Sequence, residues 1–507
     1  MNKCVYITAA LVGLCASLAC EDVDFQEGTT LPQSPVLQNS AARSRISLGG
    51  LQRVYELRWA DGVPLTYERQ GVESEFDQLA IGPLEDTIEV TRWSIEDDAD
   101  RVVLSAEVDN FETVVPVRIE QGLSTRICRV RFLADRMEGS VPVDTRSQIE
   151  MDPSQPEALA ASGAPSVTFT DRRTELIGSC PPLDASVALD GELDADILDY
   201  VEDATTELAS RMAEIAPSEE LGLLDTDVEL THLTAFDNRR GSLTIFSEPD
   251  STSSTLDETG YALDLDMAVD SSRATCAPPV RVNLPPSDAT APIPRSVLEN
   301  AGADVGYAVS TRMLSALAQN GVRAGLACIG LEDAPLSDTS DGAVPTDDLD
   351  LEVIGLGSVP VGSFAVPVIS PGQIPTITSD RAGGVVELTW PDLTIDVYSN
   401  VRGVPVRILQ LTVTFDFTLQ PSGTQGTALA LQIGSIEMNS ADVESQWLDE
   451  DAQPANVEAW ARRLLLLLFE DRLQLPLPVE PGAPLELLST QVRSSDLLLL
   501  LRIDSRL

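Results

Sequence analysis

Side chains able to do acid–base, nucleophilic or metal chemistry are unevenly supplied: one histidine, seven cysteines, and 81 acidic against 33 basic residues in 507. With a single imidazole, His232, a Ser-His-Asp triad or a multi-histidine metal site is hard to build, and His232 sits in an alternating segment where it reads as structural. Carboxylates are so many that any two can be paired on paper as acid and base, and their spacing singles out none. The group Asp338, Asp341, Asp347, Asp348 and Asp350 has ligands for calcium, but it lacks the spacing of a calcium-binding loop and Pro345 interrupts it, so it reads as a solvated loop. No glycine-rich phosphate loop joins a strand to a helix. These residues nominate no reaction, metal or cofactor; the expectation is a protein that is not an enzyme.

The cysteines are more informative. Met1-Asn2-Lys3 begins the chain with a positive charge and Val5 to Ala19 is an apolar run, too short to span a bilayer comfortably. This is the pattern of a signal peptide, residues 1–19. It ends Ser17-Leu18-Ala19-Cys20, small residues before a cysteine, and so resembles the lipobox of bacterial lipoproteins, in which the cysteine is the lipid attachment site; a plain cleavage after Ala19 fits the same residues. Parity separates the two. Cys4 and Cys15 leave with the signal, and an exported protein seldom keeps a free thiol, so acylation of Cys20 leaves Cys128, Cys180, Cys276 and Cys328 for two bridges. By order and domain placement the pairs are Cys128 with Cys180 and Cys276 with Cys328. Each closes a loop of about 50 residues, worth roughly 4 kcal/mol in the chain-entropy model; four reduced, buried thiols are the other reading.

Charge limits the partners. The sole lysine is Lys3, so the chain from residue 20 onward carries 32 − 81 = −49. Such a surface repels phosphate backbones and anionic headgroups, which excludes nucleic acid. It fits solubility in a saline medium and equally the composition of a GC-rich genome. Hydrophobic content of 43% excludes wholesale disorder, and the length predicts two domains.

The elements follow from periodicity. Residues 20–45 are polar, contain Pro32 and Pro35, and read as a flexible tether. Beyond them, alternation dominates: Leu409, Leu411, Val413, Phe415, Phe417 and Leu419 with polar residues between form a long strand with one wet face. Pro421-Ser422-Gly423 turns the chain into Leu429-Leu431-Ile433, and shorter runs occur at 386–390, 393–397 and 128–132. Antiparallel sheet is expected throughout. Three helices stand out: one carrying Ile197, Val201, Ala204, Leu208, Met212 and Ile215 and ended by Pro217; one from a Ser310 cap through Met313 and Leu317 to Asn320-Gly321; and one over 457–473 with Trp460 and the Leu464 to Leu468 run. After the first and last of these the order strand, turn, strand recurs (Val228 to Ile245, and Leu485 to Leu501), which suggests a repeat.

Asp304-Val305-Gly306-Tyr307-Ala308-Val309-Ser310 with the helix to Gly321, and the tail Leu475-Pro476-Leu477-Pro478, Leu485-Glu486-Leu487 and Leu497 to Leu501, resemble the C-terminal barrel of the bactericidal/permeability-increasing and lipopolysaccharide-binding protein family. The resemblance covers residues 276–507 and reaches the first half through the repeat. It implies an α+β fold of two tandem modules, 46–275 and 276–507, each a highly curved antiparallel sheet wrapped around a long helix and enclosing an apolar channel. Endotoxin binding is not implied, because that activity uses a basic tip and this chain is strongly acidic. The reading is an exported lipoprotein of a bacterial cell envelope, membrane-anchored at Cys20, that binds lipid acyl chains without catalysis. Met313, Leu317, Leu464 and Leu468 are the expected wall residues. The alternative is a surface structural or adhesion lipoprotein with the same scaffold and a filled core.

Overall fold

The computed structural model describes residues 38–68, 79–98, 101–121, 124–146, 158–178, 192–223, 226–228, 243–250, 254–271, 290–324, 344–349, 351–353, 356, 362, 364–380, 385–422, 429–446, 454–469, 474–480, 482–493 and 496–504. In the first half these form β1 (Gln38–Ile46), α1 (Leu48–Arg58), β2 (Val63–Tyr67), β3 (Leu79–Ile81), β4 (Leu84–Ile88), β5 (Arg92–Asp98), β6 (Arg101–Gln121), β7 (Ser124–Thr145), β8 (Leu159–Ala161), β9 (Ser166–Thr170) and β10 (Arg173–Ile177). There follow α2 (Glu192–Met212), α3 (Pro217–Glu220), β11 (Thr226–Val228), β12 (Leu243–Pro249), β13 (Thr255–Asp257) and β14 (Gly260–Ser271). The second half adds α4 (Arg295–Ala301), β15 (Val305–Ser310), α5 (Thr311–Arg323), β16 (Val344–Pro345), β17 (Phe364–Pro371), β18 (Thr376–Asp380), β19 (Val385–Val401), β20 (Val404–Ser422) and β21 (Ala430–Glu444). It closes with α6 (Pro454–Phe469), β22 (Gln474–Pro476), β23 (Leu485–Val492) and β24 (Asp496–Ile503).

All pairings among the described strands are antiparallel, and the fold is α+β with strand predominating. One sheet runs β10-β7-β6-β3, with β5 on β6 and β8 and β9 on β7; a second runs β16-β17-β19-β20-β21-β22, with β18 on β19. Between them in composition is a sheet ordered β11-β12-β14-β1-β15-β24-β23, with β13 on β14, whose strands come from both sides of residue 275. Of the first copy of the expected repeat, Val228 to Ile245, residues 229–242 lie outside the described residues. β11 and β12, following α2, pair at one end of this sheet, and β23 and β24, following α6, pair at the other.

β1 corrects the tether. Residues 38–45, expected to be part of it, run as a strand between β14 and β15 in the middle of that sheet. Its buried positions ahead of Ile46 are the small Ala41, Ala42 and Ser44, which is why no apolar period announced it. Two ladders of backbone hydrogen bonds and the Arg43–Asp264 ion pair across to β14 hold it.

The long strands bend where their alternation slips. On β6 the buried positions are Val102, Leu104, Ala106 and Val108, then Phe111, Thr113, Val115 and Val117; the change from even to odd occurs at Asn110, whose φ is 53°. β7 changes parity opposite, between Ala134 and Met137. On β19, Val386, Leu388 and Trp390 give way to Leu393, Ile395 and Val397 across an irregularity in the pairing with β20, at Asp392 with φ 51°. The two short runs read from the sequence are thus one strand interrupted by one extra residue, the device by which a strand kinks while keeping its apolar side inward.

Helices supply the other side of the core. α2 buries Ile197, Val201, Ala204, Leu208 and Met212 and packs on β2, β7 and β9. α5 packs against β14 and β18, hence between two sheets, and every residue from Met313 to Val322 is buried. Its Ser310 cap forms as expected, with Oγ accepting from the Met313 amide at 3.1 Å. Asn320-Gly321 does not stop it: the helix continues to Arg323, because Val322 has a buried place to occupy and the Asn320 side chain is engaged by Ala316 O and Ser271 Oγ. α6 packs on β21.

Candidate functional site

The candidate site is an apolar cleft at the seam between α5 and the second sheet. From the helix come Ala318 and Val322; from the sheet side come Pro375, Leu388, Trp390, Leu419, Leu431 and Leu475, one or two residues from each of β19, β20, β21 and β22 and the lead into β18. Alternation puts the strand residues here, since Leu388, Trp390, Leu419 and Leu431 all belong to inner faces legible as period-two runs. Trp390 is the bulkiest wall group. Its indole Nε1 donates to Gln373 O at 3.1 Å, which satisfies its polar edge and leaves an apolar body, and Phe415 lies 6.1 Å away, ring to ring.

The cleft has no charged or polar side chain in its wall, and its free volume is about 10 Å³. That is the room a single water needs, so in this state the seam is closed to a hydrocarbon chain. A tie between α5 and β18 runs alongside it: Ser315 Oγ donates to Ile377 O at 3.5 Å, a long and weak bond, while the same hydroxyl makes a 2.9 Å bond to Thr311 O in its own helix.

Met313 and Leu317 lie on the same helix, fully buried in the main core, and Leu464 is buried on α6 beside Trp460, Ala461 and Leu465. The cleft wall on α5 is made by their neighbours Ala318 and Val322, which nothing in the local pattern distinguished. The side chain of Leu468 lies outside the described residues. On α6, Arg462 and Arg463 are exposed beside the buried Leu464 and Leu465.

β24, apolar on both faces in sequence, is covered on both. Leu497, Leu499, Leu501 and Ile503 join the main core, whereas Leu498 and Leu500 form a second cluster with Ile293, Leu298, Ala303 and Ala308, under α4. Its second face is thus packed interior. At the start of that strand Asp496, wholly buried, accepts from Ala291 N at 2.8 Å and pairs with Arg493, whose guanidinium also reaches Ala291 O and Pro292 O.

Cys128 is buried on β7. Cys20, Cys180, Cys276 and Cys328 lie outside the described residues, as do His232, Asp338, Asp341 and Asp350. Asp347 and Asp348 fall in a 3-10 turn, Thr346–Leu349, and among the described residues no three potential ligands gather to hold a metal ion.

Burial sets the ionisation of a few groups. Desolvation pushes the hydroxyls of Tyr55 and Tyr307 well above the usual tyrosine range; they donate to Ala213 O and Pro478 O, each at 3.2 Å. The Asp144 carboxyl is raised by burial, against the lowering effect of the Thr145 amide. None of these groups lines the cleft.

No family model matches the sequence, and no curated protein matches it. Among solved structures, a crystal structure of lipopolysaccharide binding protein is similar at 13% identity and a TM-score of 0.41, over 92% of this chain and 99% of that one. P47 of Clostridium botulinum E1 is similar at 10% identity and a TM-score of 0.27, over 92% and 100%, and P47 from Clostridium botulinum A2 at 9% and 0.26, over 92% and 98%.

Proposed function

We propose that this chain binds the hydrocarbon part of a lipid at the seam between α5 and the second sheet, without catalysis, and that each half of the fold is a curved sheet around a helix. One observation carries the reading: a cleft walled by eight apolar residues and no polar side chain, at a helix–sheet junction. Affinity would come from area removed from water, about 25 cal/mol per Å² of apolar surface, with little from headgroup contacts. Because the seam is closed, uptake requires α5 to shift from β18, and the weak Ser315–Ile377 bond opposes that little. The test is uptake of a pyrene-labelled neutral lipid by the purified protein, with native mass spectrometry for co-purifying lipid. Uptake should be blocked by Ala318→Phe, which fills the seam.

The closed seam and the complete burial of Met313 and Leu317 favour a second reading, a surface scaffold with a filled core. A lipid-free protein that takes up no probe supports it and removes the first.

We also propose export and anchoring through an acylated Cys20, at a bacterial cell envelope. Palmitate labelling should be lost in Cys20→Ser. The pairs Cys128–Cys180 and Cys276–Cys328 belong to the same proposal; in support of the first, Ile177 is in register with Arg129, next to Cys128, and Cys180 follows only three residues on. Mass mapping of non-reduced peptides checks both.

A further inference from the structure

The wall residue Pro375 belongs to a short strap. β17 ends at Pro371, in register with Leu393 of β19, and β18 begins at Thr376, in register with Thr389. Both strands lie along the same edge of β19, and residues 372–375 pass its irregular stretch between Trp390 and Leu393 outside either ladder. Three hydrogen bonds reach the strap from β19. Gly372 N donates to Asp392 O at 3.1 Å, Trp390 Nε1 donates to Gln373 O at 3.1 Å, and Gln373 Nε2 donates to the Asp392 carboxylate. Gly372 sits so near Asp392 O that a Cβ there would collide with it. The outer side of the strap is solvent: Gly372 and Gln373 are exposed and Ile374 is half-buried, whereas Pro375 is buried in the cleft wall. The opposite wall offers no such way out, since every residue of α5 from Met313 to Val322 is buried.

Resting on the lipid-binding reading above, we propose that residues 372–375 are the gate of the cleft. The strap lifts from the kink in β19, Pro375 leaves the wall, and the seam opens directly to solvent; Trp390 and Asp392 are the latches that hold it shut. Lifting leaves the flanking ladders of β17 and β18 intact and exchanges bonds at an exposed site for bonds to water, which costs little. Pro375 has no amide hydrogen, so its departure strands no donor in the apolar wall. The shift between α5 and β18 that uptake requires thus begins at the end of β18 next to Pro375.

The test is stopped-flow uptake and release of pyrenyl dodecanol, a neutral lipid probe, by the full protein. Gln373→Ala removes the bond to the Asp392 carboxylate and keeps the backbone oxygen that Trp390 holds, and its exposed side chain is outside the cleft wall. It should speed uptake and release alike, by about three- to tenfold, and leave Kd unchanged. Gly372→Ala, whose new methyl presses the strap off Asp392 O, should speed both by at least as much. If the unaltered chain takes up no probe, the lipid-binding reading falls and the gate with it. If it does, and both variants keep its rates, or change release alone and so shift Kd, the gate alone is overturned. Gln373 is exposed and outside the ladders, so that variant decides even if Gly372→Ala does not fold.

Discussion

Asp144 shows how one residue makes this acidic fold sensitive to pH. Burial raises its carboxyl above the ordinary aspartate range, so the folded chain holds that proton more tightly than the unfolded chain does. Stability from this group is therefore present below the unfolded pKa and is lost as pH rises through the folded one. Asp144→Asn keeps an acceptor for the Thr145 amide and removes the charge; it should raise the melting temperature at pH 7, with the gain vanishing in melts at acidic pH. Asp496 is the opposite case, a buried carboxylate that is paired and hydrogen-bonded. Asp496→Ala strands Arg493 and frees the Ala291 amide, and urea melts should show a loss of about 3–5 kcal/mol. Neither role could be read from sequence, where these are two of 81 acidic residues with no distinguishing spacing.

At the scale of elements, the strands were legible wherever a large residue alternated with a polar one. Leu409 to Leu419 is buried as expected on β20, and the hairpin partner begins at Ala430. What alternation could not show is where one strand continues through a change of phase, because Asn110 and Asp392 reach positive φ only when the pairing on both sides demands it. The β19–β20 hairpin offers a direct test of turn chemistry. Arg402 and Gly403 both have positive φ, 53° and 84°, as in a two-residue turn of the primed type, and arginine is strained there. Arg402→Asn should stabilise the chain by about 0.5–1 kcal/mol in denaturant melts. The Ser310 cap was legible because its chemistry is local; the failure of Asn320-Gly321 to end α5 was not, because Ser271, which occupies Asn320, is distant in sequence.

For the whole molecule, a formal net charge of −48 is the dominant long-range term. Self-repulsion favours the expanded chain, and salt shortens its reach, to about 8 Å at 0.15 M. Raising sodium chloride from 10 to 300 mM should therefore raise the melting temperature; no change would mean that the charges are neutralised locally. Ion pairs such as Arg131–Glu112 and Arg211–Glu207 are exposed and contribute little to that balance.

Composition, the period of two and the caps settled that this chain builds antiparallel sheets with a few amphipathic helices, because those signals depend on neighbours within a turn or a pleat. Tertiary contact settled the rest. It placed β1, with its small buried residues, at the centre of a sheet; it closed the second face of β24 with α4; and it brought Ala318 and Val322 against strands as far along the chain as Leu475. Each of those outcomes is a choice of which apolar surface meets which, and residues of similar greasiness are interchangeable until packing assigns them partners.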